Sequence, residues 1–158
     1  MFLLGTDTSI HFMKGQPEVV ANFAKQSPGT VFLSAISYHE LLCGALHSVA
    51  VQHHLAVVAE FIAPLTLLPF TQASAGHSSQ VRQDLAKIGQ PIGPLDTLIA
   101  GHALEHQLTL VTGNTDEFSR VQDSCWRAGM NRSKPSCPLH RHFPAFSLPV
   151  AATPVSLA

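Results

Sequence analysis

The chain has 158 residues, 46% of them hydrophobic and only 12% charged, with a formal net charge of −1 at pH 7. That balance fits one compact body with a tail, large enough to bury a core, and excludes a wholly disordered polymer. No apolar stretch approaches the roughly 20 residues that span a bilayer, and no basic region precedes the short apolar run at the start, so neither a membrane span nor a secretion leader is expected.

In chain order, Phe2-Leu3-Leu4 reads as a buried strand, followed by Asp7. Residues 17–24 begin with Pro17 at a first-turn position and read as a helix. After the turn signal Ser27-Pro28-Gly29, Val31-Phe32-Leu33 is either a short strand or the lead-in to the next helix. Residues 37–49 place Leu41, Leu42, Ala45, Leu46 and Val49 on one helical stripe. The stretch 55–62 is apolar almost all round and is expected to be buried. Residues 66–70 form a third strand candidate, and 73–88 a helix closed by Gly89. A helix over 95–106 follows the loop at 90–94, and Leu108-Thr109-Leu110-Val111 is the clearest remaining strand. Short strands alternating with helices predict a parallel sheet covered on both faces.

After Val121 the periodicity stops. Residues 122–158 hold five of the eleven prolines and read as a Pro-rich mobile tail behind a domain at 1–121, with Trp126 expected to pack on the body. The body carries five Lys/Arg against nine Asp/Glu, and the tail four Lys/Arg against Asp123 alone. An acidic body is no ordinary nucleic-acid surface, so any contact with phosphates needs metal ions to offset its carboxylates. The basic group His140-Arg141-His142 is read as a solvated part of the tail. Cys43, Cys125 and Cys137 form no spaced framework; free thiols in a reducing compartment, the cytoplasm, are expected.

With so few charges, the placement of each acid is informative. Asp7 follows the first strand, Glu40 sits early in the 37–49 helix among apolar neighbours, and Asp96 opens the 95–106 helix. Asp116 and Glu117 come shortly after the last strand. Strand C-termini and the N-termini of the following helices share one rim of a parallel sheet, so these acids converge there. Singly, each is a cap or turn residue; together they repel unless cations sit among them. Oxygen ligands favour Mg²⁺ or Mn²⁺, which suits phosphodiester hydrolysis. His53-His54 and the i,i+4 pair His102 and His106 raise the question of zinc, but are read as surface or core histidines.

Four stretches carry a family resemblance: LLGTDTSIHFMKG (3–15), LSAISYHELLCGA (33–45), IGPLDTLIAGHA (92–103) and LVTGNTDEFSRV (110–121). In this order and spacing the chain resembles PIN-domain ribonucleases, specifically the VapC-like toxins of toxin–antitoxin pairs. The resemblance implies an α/β/α sandwich around a central parallel sheet. It also implies a Mg²⁺- or Mn²⁺-dependent endoribonuclease acting on tRNA or rRNA and blocked by an antitoxin. Carried over residue by residue, Glu40 and Asp96 match two metal-site acids. Asp116 is the expected acid after the last strand, with Asn114 as a neutral oxygen donor. In the ungapped register, Gly5-Thr6-Asp7 falls on the family's Asp-Thr-Asn triplet, so Gly5 stands where the first acid belongs and Asp7 is the substitute.

Two outcomes follow: a nuclease using Asp7, Glu40, Asp96 and Asp116, or an inactive relative that binds antitoxin or RNA without cutting. A phosphoacceptor signalling domain would want paired acids after its first strand and a lysine after its last, where this chain has Gly5-Thr6 and Thr112-Gly113. The apolar content of 37–49 and 55–62 predicts a homodimer and a groove for a partner helix.

Overall fold

The structure is a computed structural model that describes residues 1–27 and 29–121, together with the backbone of a short strand at Trp126–Ala128. In chain order the elements are β1 (Phe2–Leu4), α1 (Thr6–Met13), α2 (Pro17–Phe23), β2 (Val31–Ser34), α3 (Ala35–Leu46) and α4 (Val51–Ile62). Then come β3 (Thr66–Leu68), α5 (Gln72–Lys87), α6 (Pro94–Glu105), β4 (Thr109–Thr112), α7 (Thr115–Phe118) and β5 (Trp126–Ala128). All strands are parallel, in the order β3-β2-β1-β4-β5. The expected three-layer α/β/α architecture is the one observed.

The strands are apolar on both faces because helices cover both. Leu3 and Leu110 point into one cluster with Val81, Leu85, Ile99 and Phe118. Their neighbours Leu4 and Val111 point into the other, with Leu33, Leu41, Val58 and Phe61. This is the two-residue alternation of a pleated strand. Helices α1, α3 and α4 thus cover one face, and α5, α6 and α7 the other.

Element ends follow local chemistry. Ser34 caps α3, its Oγ accepting from the Ile36 N–H at 3.0 Å. Thr71 caps α5 through a reciprocal capping box with Ser74. Gly89 ends that helix as expected, in the left-handed region at φ 66°; its N–H reaches the Ala86 carbonyl and the Gln90 N–H the Leu85 carbonyl. Gln107 closes α6 by the same pair of bonds at φ 51°, a conformation a side chain resists. Where α5 crosses α6, a Cβ on Gly101 would stand 2.3 Å from the Ser78 backbone nitrogen, so only glycine allows this approach.

Three expectations change. Helix α4 starts at Val51 and lies in the outer layer: Val58 and Phe61 are buried, whereas Ala56, Ala59 and Glu60 face out. Helix α3 ends at Leu46, which is exposed, and Val49 lies beyond it. The sheet runs past Val121, because β5 pairs with β4 in the register Leu110↔Trp126. Three residues of strand among prolines and serines leave no pattern for a sequence to show. The remainder of the expected tail, with His140-Arg141-His142 and the Trp126 side chain, lies outside the described residues.

Candidate active site

The chain builds β1, β2 and β3 outward on one side, then returns to place β4 on the other side of β1. In open parallel sheets, ligands bind at the carboxyl ends of the strands where the order reverses, here between β1 and β4. Asp7, in the first turn of α1, sits at that point.

Asp7 is held from across the switch point. Its Oδ1 accepts from Thr112 Oγ1 at 3.0 Å and its Oδ2 accepts from the Gly113 backbone N–H. Thr112 Oγ1 in turn accepts from the Asn114 N–H at 3.0 Å, which fixes the donor. Two glycines flank the carboxylate: a Cβ on Gly5 would lie 2.8 Å from Asp7 Oδ1, and one on Gly113 would lie 2.7 Å from Asp7 Oδ2. The Asp7 carboxylate therefore fills the space that a side chain at position 5 would enter.

The other acids gather around it. Glu40, on α3, accepts from Thr6 Oγ1 at 2.6 Å, which ties α3 to the start of α1. Asp96 sits in the first turn of α6, behind Pro94 and the tight Gly93, whose added Cβ would stand 2.9 Å from Asp96 Oδ2. Burial, with the charges of Glu117, Glu40 and Asp7, pushes Asp96 up from 3.8 to about 7. Glu117 is held below its usual 4.5 chiefly by the Gly93 N–H, which donates to its Oε2 at 2.9 Å. The two carboxyls shift in opposite directions, Asp96 up and Glu117 down, each partly through the other.

The structure thus brings together Asp7, Glu40 and Asp96, three of the acids expected from the sequence. It places Asp116 elsewhere, exposed, with no side-chain bond among the described residues. Glu117, the next residue, is the one that accepts from the Gly93 N–H and neighbours Asp96. On a helical turn, Glu117 stands three residues from Asn114 and shares its face, while Asp116 stands two away and faces out. The readable signal was Phe118, the buried anchor that sets which side of α7 turns inward. Asn114 donates through Nδ2 to Asp96 Oδ2 at 3.4 Å, so it orients a carboxylate.

An all-oxygen donor set with one carboxyl driven to about 7 by burial and by neighbouring like charges fits a hard divalent cation. The acids border one basin without closing on a point: among the described residues, only His102, Glu105 and His106 bring three ligand atoms within 4.8 Å of one another.

Residues 6–124 match the PIN domain family. The chain belongs to that family. Curated relatives of this PIN domain include the tRNA(fMet)-specific endonuclease VapC of Shigella flexneri, 38% identical over 120 residues that cover 76% of this chain and 91% of the relative. Ribonuclease VapC2 of Haemophilus influenzae is 33% identical over the same coverage. Among solved structures, the DNA-bound VapBC of Salmonella typhimurium superposes with a TM-score of 0.76 at 37% identity, covering 80% of this chain and 96% of that one. VapBC-1 of nontypeable Haemophilus influenzae gives 0.72 at 30% identity, with the same coverage of each chain.

Proposed function

We propose that this PIN domain is a divalent-metal-dependent endoribonuclease of the toxin type, with Asp7, Glu40, Asp96 and Glu117 as its acids. The observation that carries the reading is the Asp7 carboxylate, held by Thr112 and Gly113 in the space that Gly5 leaves open, on the rim that bears the other three. The activities for which the curated relatives are named, tRNA(fMet)-specific endonuclease and ribonuclease, point to RNA as substrate.

Mg²⁺ or Mn²⁺ held by these four acids would neutralise charge on the phosphodiester and lower the pKa of the attacking water. The chain's own contribution is positioning. Thr112 and Gly113 aim Asp7, Thr6 aims Glu40, the Gly93 N–H keeps Glu117 ionised, and Asn114 orients Asp96. Asp96 must give up its proton to serve as a ligand, and its neighbours' charges oppose that until a cation is present.

The antitoxin partner follows from the same kinship, since the solved neighbours are VapBC complexes. A cavity of about 390 Å³ between α1, α3 and α4 suits an apolar partner helix; it is lined by Ile10, Met13, Leu41, Ala45 and Val58 and bordered by Glu40. The exposed Leu46 and Val49 beside it fit a homodimer contact. No described helix is long and apolar enough to cross a membrane, and the proposed place of action is the cytoplasm.

The test is cleavage of purified tRNA by the purified chain with Mn²⁺, beside Asp96→Asn and Gly5→Asp variants. Cleavage by the parent that requires the metal and disappears in Asp96→Asn supports the nuclease. Cleavage that appears only after Gly5→Asp establishes the alternative, a relative that binds without cutting.

A further inference from the structure

A second cluster lies at the other end of α6, away from the acidic rim. His102, Glu105 and His106 stand at i, i+3 and i+4, on one face of the last turn, and each offers a ligand atom within 4.8 Å of the others. His106 is ten residues along α6 from Asp96, about 15 Å at the rise of an α-helix.

The side chains are arranged as ligands rather than as ordinary core groups. His102 is fully buried, its Nδ1 lies 2.9 Å from Ser34 Oγ, and its Nε2 is buried without a hydrogen-bond partner. His106 Nε2 is likewise buried without one, 3.6 Å from Glu105 Oε2. A buried polar nitrogen without a partner is costly; here His106 Nε2 faces the Glu105 carboxylate, and His102 offers a ring nitrogen within 4.8 Å of both ligand atoms. Glu105 is oriented from α5: Thr71 Oγ1 donates to its Oε1 at 2.7 Å, and Ser74 Oγ donates to its Oε2. Phe70 presses edge-on against the His102 ring, with centroids 5.8 Å apart.

We propose that His102 Nε2, His106 Nε2 and a Glu105 carboxylate oxygen bind a borderline divalent transition ion, Zn²⁺ being the fit. Two imidazoles and one carboxylate are a known three-ligand zinc set that leaves a fourth position for water. Nitrogen donors separate this site from the all-oxygen rim, which selects harder ions. The outer shell is present as well: Ser34 Oγ lies 2.9 Å from His102 Nδ1, and in the tautomer that carries its proton on Nδ1 the ligand is Nε2, while the Thr71 and Ser74 hydroxyls hold the carboxylate. Burial keeps His102 below its usual 6.5, hence neutral. Burial pushes Glu105 up, but the Ser74 and Thr71 hydroxyls outweigh it and keep the carboxyl below 4.5. Tetrahedral ligands sit roughly 3.4 Å apart around zinc, so the cluster must contract slightly. His106 can supply that movement and the approach from solvent, since its side chain is 31% exposed. The ion would clamp the start of α5 to the end of α6 and, through Ser34, brace the cap of α3.

The experiment uses the full, metal-stripped chain in excess Mg²⁺, which saturates the acidic rim. Zn²⁺ is titrated by calorimetry, Co²⁺ is followed by its visible absorption, and melting is recorded with and without Zn²⁺. The expected result is one Zn²⁺ per chain, a tetrahedral Co²⁺ spectrum and a raised Tm. His106→Gln and Glu105→Gln should each weaken binding by at least about tenfold, while Asp96→Asn leaves it unchanged. The site is refuted if the parent takes up no Zn²⁺ or His106→Gln binds like the parent. It is equally refuted if Asp96→Asn or Cys43→Ser abolishes binding, since the ion then sits on the rim or on the His39–Cys43 pair.

Discussion

Gly5→Ala puts the role of Asp7 to a test in which the sign of the stability change decides. Gly5 has φ −71° and ψ 159°, extended backbone that alanine adopts freely. If the space beside it were open, the substitution would stabilise the fold by about 0.4–1 kcal/mol through the unfolded chain. Instead the new Cβ meets Asp7 Oδ1 at 2.8 Å, the Val111 carbonyl at 3.1 Å and Thr112 Cβ at 3.3 Å. The last two must yield by tenths of an ångström, and the carboxylate must swing away from Thr112 Oγ1 and the Gly113 N–H. Hydrogen bonds to a charged group contribute about 1.5–3 kcal/mol each when buried. Asp7 is only half-buried and water replaces part of that, so a net loss of about 1–2 kcal/mol is expected. At about 4 °C per kcal/mol for a domain of this size, Tm should fall by about 4–8 °C. Displacing the carboxylate should also lower RNA cleavage by about 10²–10³-fold, the usual effect of losing one electrostatic group from a site. Calorimetry and a tRNA cleavage assay with Mn²⁺ read the two effects. A Tm at or above the parent's, with cleavage intact, would show that Asp7 does not occupy the space beside Gly5 in a working site.

Three further outcomes are expected. Because Asp96 titrates near 7 in the folded chain and its ordinary value is 3.8, the folded state holds this proton more tightly. Metal-free stability therefore falls as pH rises between about 4 and about 7. Glu117, shifted down, acts at lower pH, whereas His102, held below 6.5 by burial, works in the opposite sense near the same window, so the quantity to read is the parent's profile against that of Asp96→Asn. With chelator, the parent should lose more stability than Asp96→Asn between about pH 5 and about pH 8, and saturating Mg²⁺ should remove the parent's excess fall; equal profiles with chelator contradict the crowding of Asp96. Glu117→Gln should lower cleavage by about 10²-fold or more, whereas Asp116→Asn should leave it near the parent's; the reverse order would restore Asp116 to the site. Gln107→Gly should raise stability by roughly 1 kcal/mol, measured by denaturant midpoint, because it relieves the left-handed residue that closes α6.

Much of this protein was readable along the chain. Alternation of short apolar runs with helical stripes determined a doubly covered parallel sheet, since that alternation is how strands and helices bury themselves. The family motifs placed Glu40 and Asp96, and marked Gly5 as the position lacking its acid. What the one-dimensional pattern could not carry were relations between distant segments. Asp7 fills the gap at Gly5 because Thr112 and Gly113, over a hundred residues on, donate to it across the β1–β4 switch point. Glu117 rather than Asp116 turns toward Asp96 because the buried Phe118 sets the orientation of that short helix. Leu46 and Ala59 are exposed because their helices lie in the outer layer, which no periodicity states. Read as a line, His102 and His106 passed for surface or core histidines although Glu105 stands at i+3 between them; what the fold supplied were the hydroxyls that orient Glu105, which only the crossing of α5 and α6 brings near. Local chemistry writes the elements into the sequence, but which carboxylate faces which neighbour is decided by packing, because contact depends on distance in space and not along the chain.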